Sequence, residues 1–229
     1  NRNIDLMSAL PGQTIESYED TLSKVLALGP EHISAYSLIL EEGTVFYDWY
    51  EKGKLDRGAW KLPSEEEEYA MGELTILRLA EAGMHRYEIS NYAKPGFACR
   101  HNIGYWKRTD YLGFGPSAAS LFGNRRWTNT ADRSLYLKAC GALEKIREDE
   151  EILSRQDAME EFMFLGLRMT QGISTAEFEE KFGKEIHAVY GGVLKKYEAM
   201  HLLQEHSGRL ALTRDGISVS NVILADFLL

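Results

Sequence analysis

What the chain lacks sets the first limits on it. No run approaches the roughly 20 consecutive apolar residues that a membrane-spanning helix needs, although 44% of the residues are hydrophobic. Clustered positive charge is missing too. The 26 Lys and Arg are outnumbered by 35 Asp and Glu, for a formal net charge of −9, whereas a phosphate backbone is bound by concentrated Lys and Arg. Nucleic acid is therefore not an expected partner. Only two cysteines occur, Cys99 and Cys140, and no C-x-x-C spacing assembles a zinc site or an iron–sulfur cluster from this chain alone. Without secretory features a disulfide between them is not expected, and a reducing cytoplasm suits both thiols. Internal repeats and low-complexity linkers are absent. The N-terminus has no basic region followed by an apolar run, so no signal peptide is read there. It opens without Met on Asn1-Arg2-Asn3-Ile4-Asp5, already inside a strand-like pattern, and a fragment whose beginning is missing is the expectation.

What is present reads first as α/β. Residues 4–7 form a short apolar strand, ended by Leu10-Pro11-Gly12. Thr14 caps a helix with Ile15, Tyr18, Leu22, Val25 and Leu26 on one face, stopped by Gly29-Pro30. Residues 33–40 read as a second buried strand, and strand–helix–strand at this spacing implies parallel pairing. An aromatic segment follows, with Phe46, Tyr47, Trp49 and Tyr50 expected over a cleft. Ser64 and Glu67 make a capping box for a helix reaching Gly83, with Leu74, Leu77, Leu79 and Ala80. Residues 85–92 read as the next strand, and irregular chain is expected from there to Arg133. The acidic runs Glu65–Glu68 and Glu148–Glu151 are read as solvated helix starts or loops. Further on, helices are expected over 158–169, 175–182 and 186–200, then a hairpin turning at Ser207-Gly208, then one helix over 213–229. The division expected is 1–133 for a β/α part and 134–229 for a mainly helical, winged-helix-like part. Glu177, Glu179, Glu180, Glu185 and Glu198 make its helices acidic, which favours packing or partner docking over DNA.

The segment from Tyr87 to Trp106 carries the densest chemistry: Glu88, Asn91, Cys99, Arg100, His101, Asn102, Tyr105 and Trp106. Loops rich in positioned polar and aromatic groups are those that carry function. His101 and His85 are candidate ligands or acid–base groups, since imidazole binds metals and titrates near neutrality. A cation and aromatics beside His101 suit a planar anionic ligand such as a porphyrin, with imidazole as axial ligand to iron. The competing reading is that Tyr105 and Trp106 only pin a loop. Asp5, at a strand start, is either a structural carboxylate or one that holds ribose hydroxyls. Gly113-Phe114-Gly115 lacks the strand–helix context and the Lys of a phosphate loop.

In order along the chain, residues 3–14 (Asn-Ile-Asp-Leu-Met-Ser-Ala-Leu-Pro-Gly-Gln-Thr), Tyr36-Ser37-Leu38, residues 87–93 (Tyr-Glu-Ile-Ser-Asn-Tyr-Ala), His101-Asn102-x-x-Tyr105-Trp106 and residues 111–118 resemble the HemW-type heme chaperones of the radical S-adenosylmethionine family. The resemblance covers essentially the whole chain. It implies the C-terminal part of a partial (β/α)6 barrel followed by the helical domain. It further implies a [4Fe-4S] cluster and bound S-adenosylmethionine, with heme and a heme-recipient protein, membrane-associated ones included, as partners. Asp5 falls on the family's ribose carboxylate, and Leu38 and Ile39 on the strand end that meets the adenine. Ala119 falls on a nearby backbone contact. His101, Tyr105 and Trp106 fall in the heme-associated motif, with His101 as the iron ligand. The cluster cysteines have no counterpart in this chain, and Ser117-Ala118-Ala119-Ser120 departs from the usual Gly-Ala-His-Ser. The sibling oxygen-independent coproporphyrinogen III oxidase, an oxidoreductase, is the alternative. It lacks the His-Asn-x-x-Tyr-Trp motif, so the chaperone is the expectation.

Overall fold

Alternation along two strands decides the architecture of the first compact unit, Asn1–Cys99. β1 (Asn3–Ser8) pairs in parallel with β2 (His32–Ser37), and the crossover between them is α1 (Ile15–Ala27). Thr14 and Ser17 exchange side-chain and backbone hydrogen bonds as a capping box at its start. Leu6 and Ile33 point to one face and bury there; Asn3, Asp5 and Met7 lie beside His32, Ser34 and Tyr36 on the other. The computed structural model describes residues 1–139 and 141–229, apart from the side chain of Leu143. Cys140, and with it the expectation about a Cys99–Cys140 disulfide, lies outside them.

β2 ends at Ser37 rather than at Leu40. Its partner β1 turns away at Ala9, whose φ is 57°, and the Leu38 N–H to Ser8 carbonyl bond of 2.9 Å closes the ladder. Ile39 is then 71% exposed. The aromatic segment becomes α2 (Val45–Glu51), none of whose residues is buried. Next comes α3 (Glu65–Glu81), capped by Ser64 and Glu67 as expected. Its inward face is Met71, Thr75 and Leu79, while Leu77 is 57% exposed. The helices cover the apolar sheet face in a core of Leu6, Tyr18, Leu22, Ile33, Met71, Leu79, Met84 and Tyr92. Within it the Tyr18 hydroxyl meets Thr75 Oγ1 at 2.7 Å.

Residues 85–92 are not one strand. They form a hairpin of β3 (His85–Arg86) and β4 (Asn91–Ala93), and β4 runs antiparallel to β2, for a sheet order β1-β2-β4-β3. The reversal has a local cause: Glu88 Oε1 accepts from the Ser90 N–H at 2.7 Å and from Asn91 Nδ2 at 2.6 Å, folding the chain back on itself.

The second unit is Arg100–Leu229. After α4 (Arg100–Trp106), the stretch read as irregular holds β5 (Ala119–Phe122) and β6 (Arg125–Asn129), followed by α5 (Arg133–Lys138). These strands join β7 (Arg147–Ile152) in an antiparallel sheet ordered β5-β6-β7. Because β6 pairs with β7, residues 100–133 belong to this compact unit, and the division falls at Cys99/Arg100 rather than at 133/134. The acidic run at 148–151 is therefore strand, not a loop or helix start. β7 lies at the sheet edge, where exposed charge discourages further pairing, and Arg125 Nη1 meets Glu150 Oε1 at 2.5 Å across it.

α6 (Arg155–Gly166), the short β8 (Ile173–Ser174), α7 (Thr175–Phe182) and α8 (Ile186–Ala199) follow. β9 (Leu203–His206) and β10 (Arg209–Leu212) make the expected wing, extended by β8 to three strands. Ser207 (φ 51°) and Gly208 (φ 72°) both take the left-handed conformation that a two-residue hairpin turn demands. The expected last helix is two, α9 (Arg214–Ser218) and α10 (Ser220–Ala225), broken where Val219 leaves the helical region at φ −116°. Phe162, Phe178, Tyr190 and Phe227 form a chain of edge-to-face rings through this core, at centroid separations of 5.6, 6.0 and 5.5 Å.

Leu22 is wholly buried against both strands' apolar face. Leu22→Ala in the full-length protein is expected to cost about 2–5 kcal/mol, read as a lower urea midpoint at unchanged slope.

Candidate functional site

In the first unit, the sheet face opposite the core carries Asn3, Asp5, His32, Ser34, Tyr36 and Asn91 in register. Asp5 is exposed, and its Oδ1 accepts from Asn3 Nδ2 at 2.8 Å. A carboxylate only accepts, so this contact orients the Asn3 amide and turns its Oδ1 toward His32 Nδ1, 2.6 Å away. His32 therefore carries its proton on Nδ1. Its Nε2 accepts from the Tyr87 hydroxyl at 2.8 Å, and the Tyr87 oxygen accepts from the Cys99 N–H at 3.2 Å.

Burial, at 5% exposure, pushes the His32 pKa below its ordinary 6.5, against the opposing charges of Asp5 and Glu88. Tyr36 is pushed up, by desolvation first and then by the charge and hydrogen bond of Asp5. Glu88 is fully buried and sits at the hairpin turn. Glu88 stood out in the sequence, but its role in capping the turn went unread; the signal was a carboxylate two residues before Ser90 and three before Asn91, the spacing of a side chain that caps its own turn.

An exposed carboxylate held by an amide on a polar sheet face suits vicinal hydroxyls, the chemistry of a ribose. Leu38 is half-buried and Ile39 exposed just beyond the end of β2, the strand that pairs with the one carrying Asp5. Ala119 is exposed on β5 in the other unit, opposite Thr128.

In the second unit, α4 separates the residues of the His-Asn-x-x-Tyr-Trp motif. At about 100° per residue, His101 and Tyr105 lie about 40° apart around the helix, while Trp106 lies about 140° from His101. The contacts follow that geometry. His101 is exposed, with its ring edge-on to Tyr105 at 4.7 Å, and Tyr105 is braced edge-on by Tyr111 at 4.7 Å. Trp106 instead takes the Arg168 guanidinium over its ring, 4.4 Å from the centroid. The chain beyond α4 is tied down by Glu161, whose side chain is 7% exposed and accepts from Arg108 Nε at 2.5 Å and from Arg126. Glu161 also went unread, although a charged residue inside the apolar stripe of α6 was the sign of it.

The other sequence candidates separate from this cluster. His85 is exposed on β3, opposite Ala93. Cys99 is a half-buried free thiol. The Gly113 and Gly115 N–H groups are committed internally, Gly113 to Ser120 Oγ at 2.9 Å and Gly115 to the Tyr136 hydroxyl at 3.0 Å. A Cβ at Gly113 would come within 2.2 Å of the Ala119 carbonyl, so close packing explains that glycine. Among the described residues no group of three His, Cys, Asp or Glu is placed to hold a metal ion, and no helix is long and apolar enough to cross a membrane.

Residues 153–219 match the HemN C-terminal domain family. The chain is 36% identical to heme chaperone HemW of Bacillus subtilis over 228 residues, covering all of this chain and 59% of that protein. The corresponding figures for heme chaperone HemW of Lactococcus lactis are 38% over 229 residues, all of this chain and 59% of that protein. The mitochondrial radical S-adenosyl methionine domain-containing protein 1 of Danio rerio is 32% identical over 209 residues, covering 83% of this chain and 46% of its own. Among solved structures, the radical SAM enzyme coproporphyrinogen III oxidase (HemN) from Escherichia coli superposes with a TM-score of 0.75 at 20% identity, over 99% of this chain and 54% of that one. That likeness is one of fold: the mixed α/β architecture described above is the C-terminal portion of the HemN-like fold. The chain spans 59% of the length of each of the two HemW relatives.

The depressed His32 pKa carries a sign. The unfolded histidine binds a proton near pH 6.5 and the folded one only at lower pH, so stability rises with pH across that window. Global stability of the wild-type protein is expected to fall as pH drops through and below 6.5. The slope is expected to flatten in His32→Gln, measured by urea unfolding at a series of pH values.

Proposed function

The chain belongs to the HemW-type branch of the HemN-related radical SAM proteins, and from that premise we propose that this protein binds heme and S-adenosylmethionine and delivers heme to recipient proteins. The observation that carries the reading is His101: an exposed imidazole on α4, supported from the side by Tyr105, which Tyr111 braces in turn. Imidazole is the commonest axial ligand for heme iron, and an exposed one lets a recipient's own ligand approach and replace it. Tyr105 supplies the aromatic wall beside the iron ligand. Trp106 contributes by seating α4 on Arg168 rather than by facing the same ligand.

For S-adenosylmethionine, Asp5 fits the ribose hydroxyls, since it is exposed and oriented by Asn3. The backbone at Leu38 and Ile39 is assigned to the adenine. When bound, the cofactor supplies one-electron chemistry, and these residues hold and orient it. A [4Fe-4S] cluster is different. Two cysteines in the whole chain do not fit the three thiolates that such a cluster takes from a protein of this family, and its ligands are assigned to the part of the HemW relatives that this chain does not span. The proposed compartment is the cytoplasm.

Hemin titration of the full-length protein, followed by its Soret band, tests the reading. Saturable binding near one equivalent is expected, and His101→Ala is expected to weaken it about tenfold or more and to move the band. No saturable binding, or binding indifferent to His101→Ala, would turn the assignment toward porphyrinogen oxidation.

A further inference from the structure

We propose that His32 and Asn3 are positioning residues that hold the Asp5 carboxylate in the orientation its ribose contact needs; the inference rests on the S-adenosylmethionine reading of Asp5. None of the motifs that led to Asp5 includes His32. The register of β1 and β2 places it: Asn3 stands opposite His32 and Asp5 opposite Ser34, all on the polar face.

The hydrogen bonds between them run in one direction only. Asp5 Oδ1 accepts from Asn3 Nδ2 at 2.8 Å, so Asn3 Oδ1 is the atom left to accept. It does so from His32 Nδ1 at 2.6 Å and from Ser34 Oγ at 3.4 Å. His32 Nε2 is then an acceptor, filled by the Tyr87 hydroxyl at 2.8 Å. The Tyr87 oxygen in turn accepts from the Cys99 backbone at 3.2 Å. A flipped Asn3 would face its carbonyl oxygen toward Asp5, and the Nε2–H tautomer of His32 would point a bare nitrogen at the Asn3 carbonyl oxygen. Either change breaks the chain at a buried imidazole, where an unmet polar group is costly. The rigid end therefore lies at His32, inside the protein, and the soft end at the exposed Asp5. Asp5 Oδ1 is taken by Asn3 and the carboxylate also meets the Tyr36 hydroxyl, so its plane is defined for further hydroxyl donors. Pre-set geometry of this kind is what raises the affinity of a solvent-facing carboxylate for a diol.

A merely structural histidine and a positioning one respond differently to substitution. The amide nitrogen of an introduced Asn lies near the place of Nδ1, and that of Gln near Nε2. His32→Asn thus keeps the donor to Asn3 and loses the Tyr87 contact, whereas His32→Gln does the reverse.

The test measures dissociation constants of S-adenosylhomocysteine and its 2′-deoxy analogue by equilibrium dialysis on the full-length protein. The readout is the ratio of the two, which does not depend on the fraction of protein folded. The wild type is expected to prefer the ribose form by about tenfold or more, and Asp5→Ala to abolish the preference. His32→Gln and Asn3→Ala are expected to reduce it to near unity, and His32→Asn to restore most of it. Asn3 is exposed, so Asn3→Ala carries the test should the His32 variants fail to fold. A ratio lost in Asp5→Ala but unchanged in Asn3→Ala and His32→Gln would overturn the positioning role alone. A ratio unchanged in Asp5→Ala would overturn the underlying reading of Asp5 and this inference with it.

Discussion

In-register parallel pairing of β1 with β2 is the constraint on which the first unit depends. Because side chains alternate across a sheet, one register assigns Leu6 and Ile33 to the helices and Asn3, Asp5, His32, Ser34 and Tyr36 to the opposite side. A slip of one residue would exchange the two sets, burying Asp5 and exposing Ile33. The apolar core under α1 and α3 is thus also what presents the polar face. Stability and ligand chemistry are set by the same ladder of backbone hydrogen bonds.

The second unit solves a related problem with charge. Glu161 lies in a helix whose neighbours Ala158, Met159, Phe162 and Met163 are buried. Removing a carboxylate from water is expensive unless it is matched by cations in good geometry, and Arg108 and Arg126 supply that match. Arg108 lies two residues beyond the end of α4, so the buried cluster ties down the chain just after the helix. The stacking of Arg168 on Trp106 fixes how α4 is rolled. With the Trp106 side committed, His101 and Tyr105 are left on the far side of a two-turn helix.

Legibility from sequence followed the range of the interactions involved. Thr14 and Ser64 announced helices because a capping hydrogen bond spans three residues. Ser207-Gly208 announced a hairpin because only certain residues tolerate left-handed backbone. The strand read over 85–92 failed because Glu88 folds the chain back through side-chain bonds that no apolar pattern encodes. The stretch before Arg133 read as irregular because β5 and β6 are short and need β7 to complete their sheet. Val219 broke a periodic pattern that composition alone would have continued.

Local chemistry was therefore determined by the sequence itself: the caps, the turn at Ser207-Gly208, the α/β crossover, and the ordered motifs that marked Asp5 and His101. The tertiary structure alone decided which of those residues act together. It joined Asp5 to His32 and Tyr87 across strands, separated Trp106 from His101 around one helix, and brought Arg108 and Arg126 to Glu161. The physical reason is that a hydrogen bond or ion pair between residues distant in sequence depends on register and rotation, and these are settled only when the apolar faces pack.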